Sequence, residues 1–524
     1  MTAGRFLCVR GILVVGMCAI IFQLVSAMPA RSDEEDTPAR SSLAFKGANL
    51  CVRCHRSEQS DWVDLSTTAT WRHDAHSRSH LALLSDNPRT QAMEKSLGFK
   101  AEKNKNCVAC HTHSALEPLI EEETSVLHAG ISCESCHGPS EAYFEKHMEK
   151  SWRFLASSEK EAFGMHDLRD PVSKARNCLS CHLGDIGSDR IITHQMYAAG
   201  HPPLTSFEIE SFSNAMGSHW KRVWDKSEKI QRQAEAADYR TEGACQSQRA
   251  LIGSLVALQQ SALFVGDYAT AAKINPKENV WPELALYDCQ ACHHELQIPS
   301  WRQKIGSGDL RPGRPSMVHW PRMLSGVALR QSGATTDVDS LLSPFATGLN
   351  LRPFGSPDSV APTLEELILS IATATDALKK WNRDETLSVR ESALIALLCE
   401  AGMRTGDFES ARQIGWVMVL ALKSTREWPE NVRKAKILEL TKLLSLEFPH
   451  PAYPTLSDSS LNGSSRDDPF WKTTLAVTPR VNMARVHAAF QMPPLDDTLL
   501  NSLEFLPESN DTQKEAIAPP LPVP

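Results

Sequence analysis

One pattern, CxxCH, occurs five times in this chain: Cys51-Val52-Arg53-Cys54-His55, Cys107-Val108-Ala109-Cys110-His111, Cys133-Glu134-Ser135-Cys136-His137, Cys178-Leu179-Ser180-Cys181-His182 and Cys289-Gln290-Ala291-Cys292-His293. With 14 Cys and 19 His in 524 positions, chance placement gives on the order of 0.01 copies. The spacing suits one reaction. Two thiols a few residues apart on a single turn can add to the two vinyl groups along one edge of a porphyrin, and the adjacent His then reaches the iron from one face. Attachment of this kind lets a short length of chain hold several haems close together, as electron hopping requires. A four-thiolate zinc site from Cys107, Cys110, Cys133 and Cys136 is the bland alternative, but it does not call for a His after every second Cys. A redox CxxC of thioredoxin type would need a βαβ setting that the pattern of this chain does not offer. The reading is five covalent haem c groups, held through Cys51, Cys54, Cys107, Cys110, Cys133, Cys136, Cys178, Cys181, Cys289 and Cys292. His55, His111, His137, His182 and His293 are then the proximal iron ligands.

The opposite face of each iron decides what the haem can do. A second axial His makes the iron six-coordinate and suits it to electron transfer, whereas its absence leaves a position open to small molecules. Candidates before residue 320 are His73, His76, His80, His113, His128, His147, His166, His194, His201, His219, His294 and His319; only His450 and His487 lie beyond. Context favours His147, ten residues after His137 in a helix-like stretch, and also His194 and His201, which flank Met196-Tyr197-Ala198-Ala199-Gly200. His294 follows a proximal ligand directly and points elsewhere on the same turn. Met148, Met165 and Met196 are the thioether candidates, although Met more often fills cores.

The elements that must position these residues follow from composition. The chain is 42% hydrophobic and 23% charged, which suits two or three packed domains. A net charge of -8 removes the basic excess expected of a nucleic-acid binder. Arg5 and Arg10 precede an apolar run from Ile12 to Val25 and then Val25-Ser26-Ala27, the layout of a secretory signal peptide over residues 1–27. Export to the periplasm or another extracytoplasmic compartment is expected, with an uncleaved N-terminal segment as the route to membrane association. No later segment is read as a membrane span.

Cys51 to His55 with Trp62, then Asp74-Ala75-His76-Ser77-Arg78, then Gly130-Ile131-Ser132 leading into Cys133-Glu134-Ser135-Cys136-His137-Gly138-Pro139, and finally His147, form a more specific signature. It resembles the multihaem cytochrome c family that includes the tetrahaem electron acceptor of hydroxylamine oxidoreductase. The resemblance spans about residues 48 to 185 and implies that His76 and His147 are distal iron ligands. Ala198-Ala199-Gly200-His201-Pro202-Pro203-Leu204, Ser218-His219-Trp220 and Trp281-Pro282-Glu283 ahead of Cys289 look like a longer bacterial version with a fifth haem, which adds His194, His201 and His219 to the axial set.

The expected fold is mainly α: a multihaem cytochrome c domain with little regular sheet, then an α-helical C-terminal domain. Residues 28–47 read as a flexible leader and 48–320 as the pentahaem domain, closed by the Gly, Arg and Pro run from Gly306 to Pro315. Helical spacing of Leu251, Leu255, Leu258 and Ala262 separates the fourth and fifth motifs. Residues 321–362 read as a loop-rich linker. In the helical domain 363–450, Thr363 and Glu366 form a capping box, and further helices are expected at 391–400, 408–424 and 431–447. Cys399 reads as a buried free thiol, Cys245 is undecided between thiol and disulfide, and 451–524 reads as an irregular, disordered tail. With no motif beyond residue 320, a chain ending there is expected to keep every haem.

Two functions stay in view. One is an electron carrier passing electrons between a redox protein donor and acceptor. The other is an enzyme reducing or oxidising a small nitrogen or sulfur compound at a five-coordinate haem. The pentahaem nitrite reductases carry a CxxCK motif and the hydroxylamine oxidoreductases eight haem motifs; neither pattern is present, which favours the carrier.

Overall fold

The computed structural model describes residues 43–55, 67–112, 130–216, 246–293, 313–317, 320–360, 364–381, 386–425, 427–446 and 483–492, with a few single positions that include His219. From Phe45 onward they belong to one compact unit. Helix dominates, and among the described residues strand pairing is confined to two isolated bridges, Asp185 with Arg190 and Tyr287 with Met317.

Up to residue 216 the helices are short, and two that carry motifs begin where the sequence supplies a cap. Asn104 accepts from the N–H groups of Asn106 and Cys107 to start Lys105–His111, and Asp170 accepts from Ser173 ahead of Pro171–His182, with Pro171 at the first helical position. The CxxCH motifs of these two helices fall in their last turns.

The longest helix, Gln246–Ile274, carries Leu251, Leu255, Leu258 and Ala262 at the expected period, but Ile252, Val256, Ala257 and Val265 are buried as well. A helix apolar all round must be covered on every side. Val256 and Ala257 meet Ala175 and Leu179 of the fourth-motif helix together with Phe207 and Ile209. The other faces pack on helices Trp320–Ser332, Glu365–Lys379 and Phe408–Ser424. By length and composition Gln246–Ile274 could cross a bilayer, contrary to the expectation that no later segment could; most of it lies inside the protein.

Three further expectations are corrected. Residues 321–362 are not a loop-rich linker: helices Trp320–Ser332, Val338–Asn350 and Pro357–Val360 occupy them. Gly326, Gly348 and Pro344 suggest loops, but Leu324, Val327 and Ala328, then Leu341, Leu342 and Phe345, bury apolar faces that outweigh those weak local preferences. The helical region is not a separate domain beginning at 363. One apolar core runs from Ile191 and Leu255 through Leu324, Leu378, Leu398 and Val417 to Phe490. Its helix Glu365–Lys379 starts from Leu364 without a side-chain cap, and Thr363 lies outside the described residues. Helices Thr386–Met403, Phe408–Ser424 and Glu430–Leu444 follow as expected. Within 451–524, helix Met483–Ala489 is ordered into this core through Val486 and Phe490. The Phe490 ring lies directly on Gly402, where a Cβ would collide with it. Cys399 is an unbridged thiol at the edge of the core and half-buried. The signal peptide 1–27, most of the leader 28–47, Cys245 and the other parts of the tail lie outside the described residues.

Candidate haem sites

The cysteines of four motifs fall on helices, Ala48–Cys54, Lys105–His111, Cys133–His137 and Pro171–His182, and those of the fifth on a 3-10 turn from Cys289. Each motif therefore presents two thiols and an imidazole along one short stretch, as attachment along one porphyrin edge requires. Each motif histidine also faces a second one from elsewhere in the chain. Ring centres are 6.4 Å apart for His55 and His147, 6.4 Å for His111 and His201, 6.3 Å for His137 and His219, 6.2 Å for His182 and His76 and 6.2 Å for His293 and His194. A metal bonded at about 2 Å to an imidazole nitrogen on either side, with about 1.2 Å from nitrogen to ring centre, separates the centres by about 6.4 Å. The residues thus fit a haem iron between each pair. All ten histidines singled out in the sequence lie in these pairs.

Ring orientation divides the pairs. The interplanar angle is 15° at the first site and 26° at the fifth, but 79°, 87° and 71° at the second, third and fourth. Burial divides them too: it pushes His137, His182 and His201 down to about 4, so these imidazoles stay neutral and able to donate to a metal. At the fifth site Cys289, Cys292 and His293 are exposed, as is Cys54 at the first.

Contacts between motifs arrange the sites in space. The Cys51 thiol lies beside that of Cys133, bringing the first and third sites together. Cys110 lies beside Cys181, bringing the second and fourth together, and Cys136 feels the charge of Cys178 and Cys181, which puts the third beside the fourth. Tyr197, whose ring is 6.0 Å from that of His201, also senses Cys289 and Cys110, so the fifth site neighbours the second. The spatial run is first, third, fourth, second, fifth. Cys110 and Cys133 find their thiol neighbours in different motifs, so the four-thiolate grouping considered from sequence does not form. Among the described residues no three His, Cys, Asp or Glu converge as a metal-binding cluster.

Polar residues that the sequence reading did not single out hold this arrangement. Glu134, inside the third motif and 1% exposed, accepts from the N–H groups of Lys46 at 3.0 Å, Gly47 at 2.7 Å and Ser140 at 2.8 Å, locking the start of the first-motif helix to the third. Arg190 donates to Ala109 O at 3.2 Å and to Ser180 Oγ, bridging the second and fourth motifs. Glu283 accepts from the His194 N–H at 2.7 Å, tying the approach to the fifth motif to its facing ligand. His76 is clipped through its carbonyl to Ile131 N at 2.9 Å, just ahead of the third motif. Gly138 ends that motif at a φ of 84°, where its Cα lies so near Gly164 O that a Cβ would collide. The signal for these roles in the sequence is slight: a buried acid inside CESCH, and acids two residues before or a few residues ahead of a ligand.

Of the other candidates, His166 donates to Cys136 O at 3.2 Å, and His80 is buried with Nδ1 lacking a hydrogen-bond partner. His487 bonds Thr405 O, far from any motif. Met148 is exposed and Met196 is buried. His113, His128, His294, His319 and His450 lie outside the described residues.

Residues 50–138, which contain the first three motifs, match the family described as cytochrome c554 and c-prime. Cytochrome c-554 of Nitrosomonas europaea is 26% identical over 184 residues, covering 33% of this chain and 68% of that protein. No solved structure matches the chain. Over this stretch the chain is similar to multihaem c-type cytochromes, electron-transfer proteins that carry covalently attached haem.

Proposed function

We propose that the chain is an extracytoplasmic pentahaem carrier in which every iron is held between two histidines and electrons pass between a redox protein donor and acceptor. The five facing histidine pairs, each separated by 6.2 to 6.4 Å, carry this reading. When bound, the haems supply one-electron chemistry between ferric and ferrous iron. The chain's own residues do the rest. Cys51 and Cys54, and their counterparts in the other four motifs, fix each porphyrin edge. His147, His201, His219, His76 and His194 would hold the iron from the side opposite the motif histidine, which would leave a small molecule no open position. The same observation weighs against the enzyme reading, which needs one iron left five-coordinate. The signal peptide over residues 1–27 supports the compartment.

Mass and a pyridine haem assay on the purified protein should give five haems. Electron paramagnetic resonance of the oxidised protein should show only low-spin iron, in two classes. Near-parallel imidazoles at two sites split the iron d orbitals strongly; crossed imidazoles at three leave them closer in energy and give more anisotropic signals. The reduced protein should leave carbon monoxide unbound. A haem count of four, or a high-spin iron that takes up carbon monoxide, overturns the reading.

A further inference from the structure

The facing histidines differ in what holds the ring nitrogen turned away from the iron site. His111 donates from Nδ1 to Ser79 O at 2.9 Å, His201 to Pro202 O at 2.7 Å, and His147 to the Tyr143 and Phe144 carbonyls. These acceptors are neutral backbone oxygens. His76 instead donates from Nδ1 to the carboxylate of Asp74 at 2.7 Å, and its backbone N–H bonds the same oxygen at 2.9 Å. The Asp74 side chain is only 13% exposed, so water screens this contact weakly.

An anionic acceptor draws the Nδ1 proton further from the ring than a carbonyl does. The imidazole gains anionic character and becomes a more basic ligand at Nε2. A more basic ligand stabilises ferric over ferrous iron. We propose that Asp74 is a positioning residue that orients His76 and lowers the reduction potential of the haem held between His76 and His182. This rests on the pentahaem reading and deepens it. The fourth site lies in the middle of the spatial run, so a lowered potential there sets a step that electrons must climb between the first and third sites on one side and the second and fifth on the other.

The test uses the full-length protein with its haems attached. Asp74→Asn keeps an oxygen toward His76 and removes the charge; Asp74→Ser is the second variant should the first lose haem. A redox titration followed by paramagnetic resonance is run on each beside His76→Ala. His76→Ala should turn one low-spin iron high-spin, and the signal it removes identifies the fourth site. In Asp74→Asn all irons should stay low-spin while that same signal titrates at higher potential, by about tenfold in its oxidation equilibrium or about 59 mV. If His76→Ala leaves every iron low-spin, the ligand assignment fails. If it creates a high-spin iron and Asp74→Asn leaves the fourth-site potential in place, or moves another site more, the ligand assignment stands and the role of Asp74 falls.

Discussion

Residues 43–216, which hold four of the five motifs, and the largely helical residues 246–492, which hold the fifth, are built on opposite principles. The second region has a continuous apolar core in which Leu255, Leu324, Leu378, Leu398, Ile414 and Val417 are essentially inaccessible to solvent. The first has little of the kind: Leu83, Ala101 and Val108 form one small cluster. The other apolar burial near its motifs, at Ala175 and Leu179, leans on the long helix. Polar clips take the place of a core. Ser79 Oγ bonds His111 O at 2.7 Å, His166 N bonds His137 O at 2.9 Å, and Glu134 accepts three N–H groups. The interior of this region consists of imidazoles and thiols that are costly to bury without partners. A porphyrin bound between a histidine pair would supply both the metal bond and the missing apolar area. The lesson is that in the first region haem would take the place of most of a core, whereas among the described residues the extended apolar packing lies in the second.

The largest effect should come from ending the chain at Trp320. Judged by motif positions, such a chain would keep every haem. The packing argues otherwise, because Leu324, Leu378, Leu398 and Val417 go and leave Leu251, Leu255 and Leu258 uncovered. Haem absorbance and sedimentation of the truncated chain should show little soluble protein; a soluble five-haem product would break the comparison by showing that the first region stands alone.

Replacing Cys178 and Cys181 together by Ala should come next. It removes covalent attachment at the middle of the spatial run, and limited proteolysis should then cut within 43–216 while 246–446 stays protected. Equal protection of both regions would mean that the haem is not the core of the first.

Leu255→Ala, by contrast, acts on the apolar core. It should cost about 2–5 kcal/mol in urea unfolding with the haem count unchanged, whereas a loss below about 1 kcal/mol would show that the core tolerates a void.

The smallest effect is expected for Glu134→Ala, which strips a shared partner from Lys46 N, Gly47 N and Ser140 N. A cost of about 1–3 kcal/mol is expected, together with altered signals from the first and third sites and none from the fifth. A change confined to the fifth site would remove Glu134 from its place between the first-motif and third-motif helices.

How much was legible in the sequence varied with the range of the interaction. The five CxxCH motifs could be read because the attachment chemistry demands that residue order within a single turn. The period of Leu251, Leu255, Leu258 and Ala262 is also short-range, and it appears where the sequence places it. The linker at 321–362 was misread because Gly and Pro are weak signals that burial against a distant helix overrides. The end of the core at Phe490 was hidden for a similar reason, since its partner Gly402 lies far along the chain.

The sequence by itself carries the CxxCH motifs that point to haem c, the cysteines that would attach it and a set of histidines that could complete each iron. Tertiary structure alone decided which histidine faces which: His76 meets a motif more than one hundred residues later, while His194 meets His293 and the nearby His201 turns to His111. It also decided the spatial order of the sites, the two classes of ring orientation, and the placing of Asp74 and Glu134 against particular nitrogens. The physical reason is that covalent attachment is encoded in adjacent residues, whereas a sixth ligand and its hydrogen-bond partner are chosen by how distant segments pack around a haem.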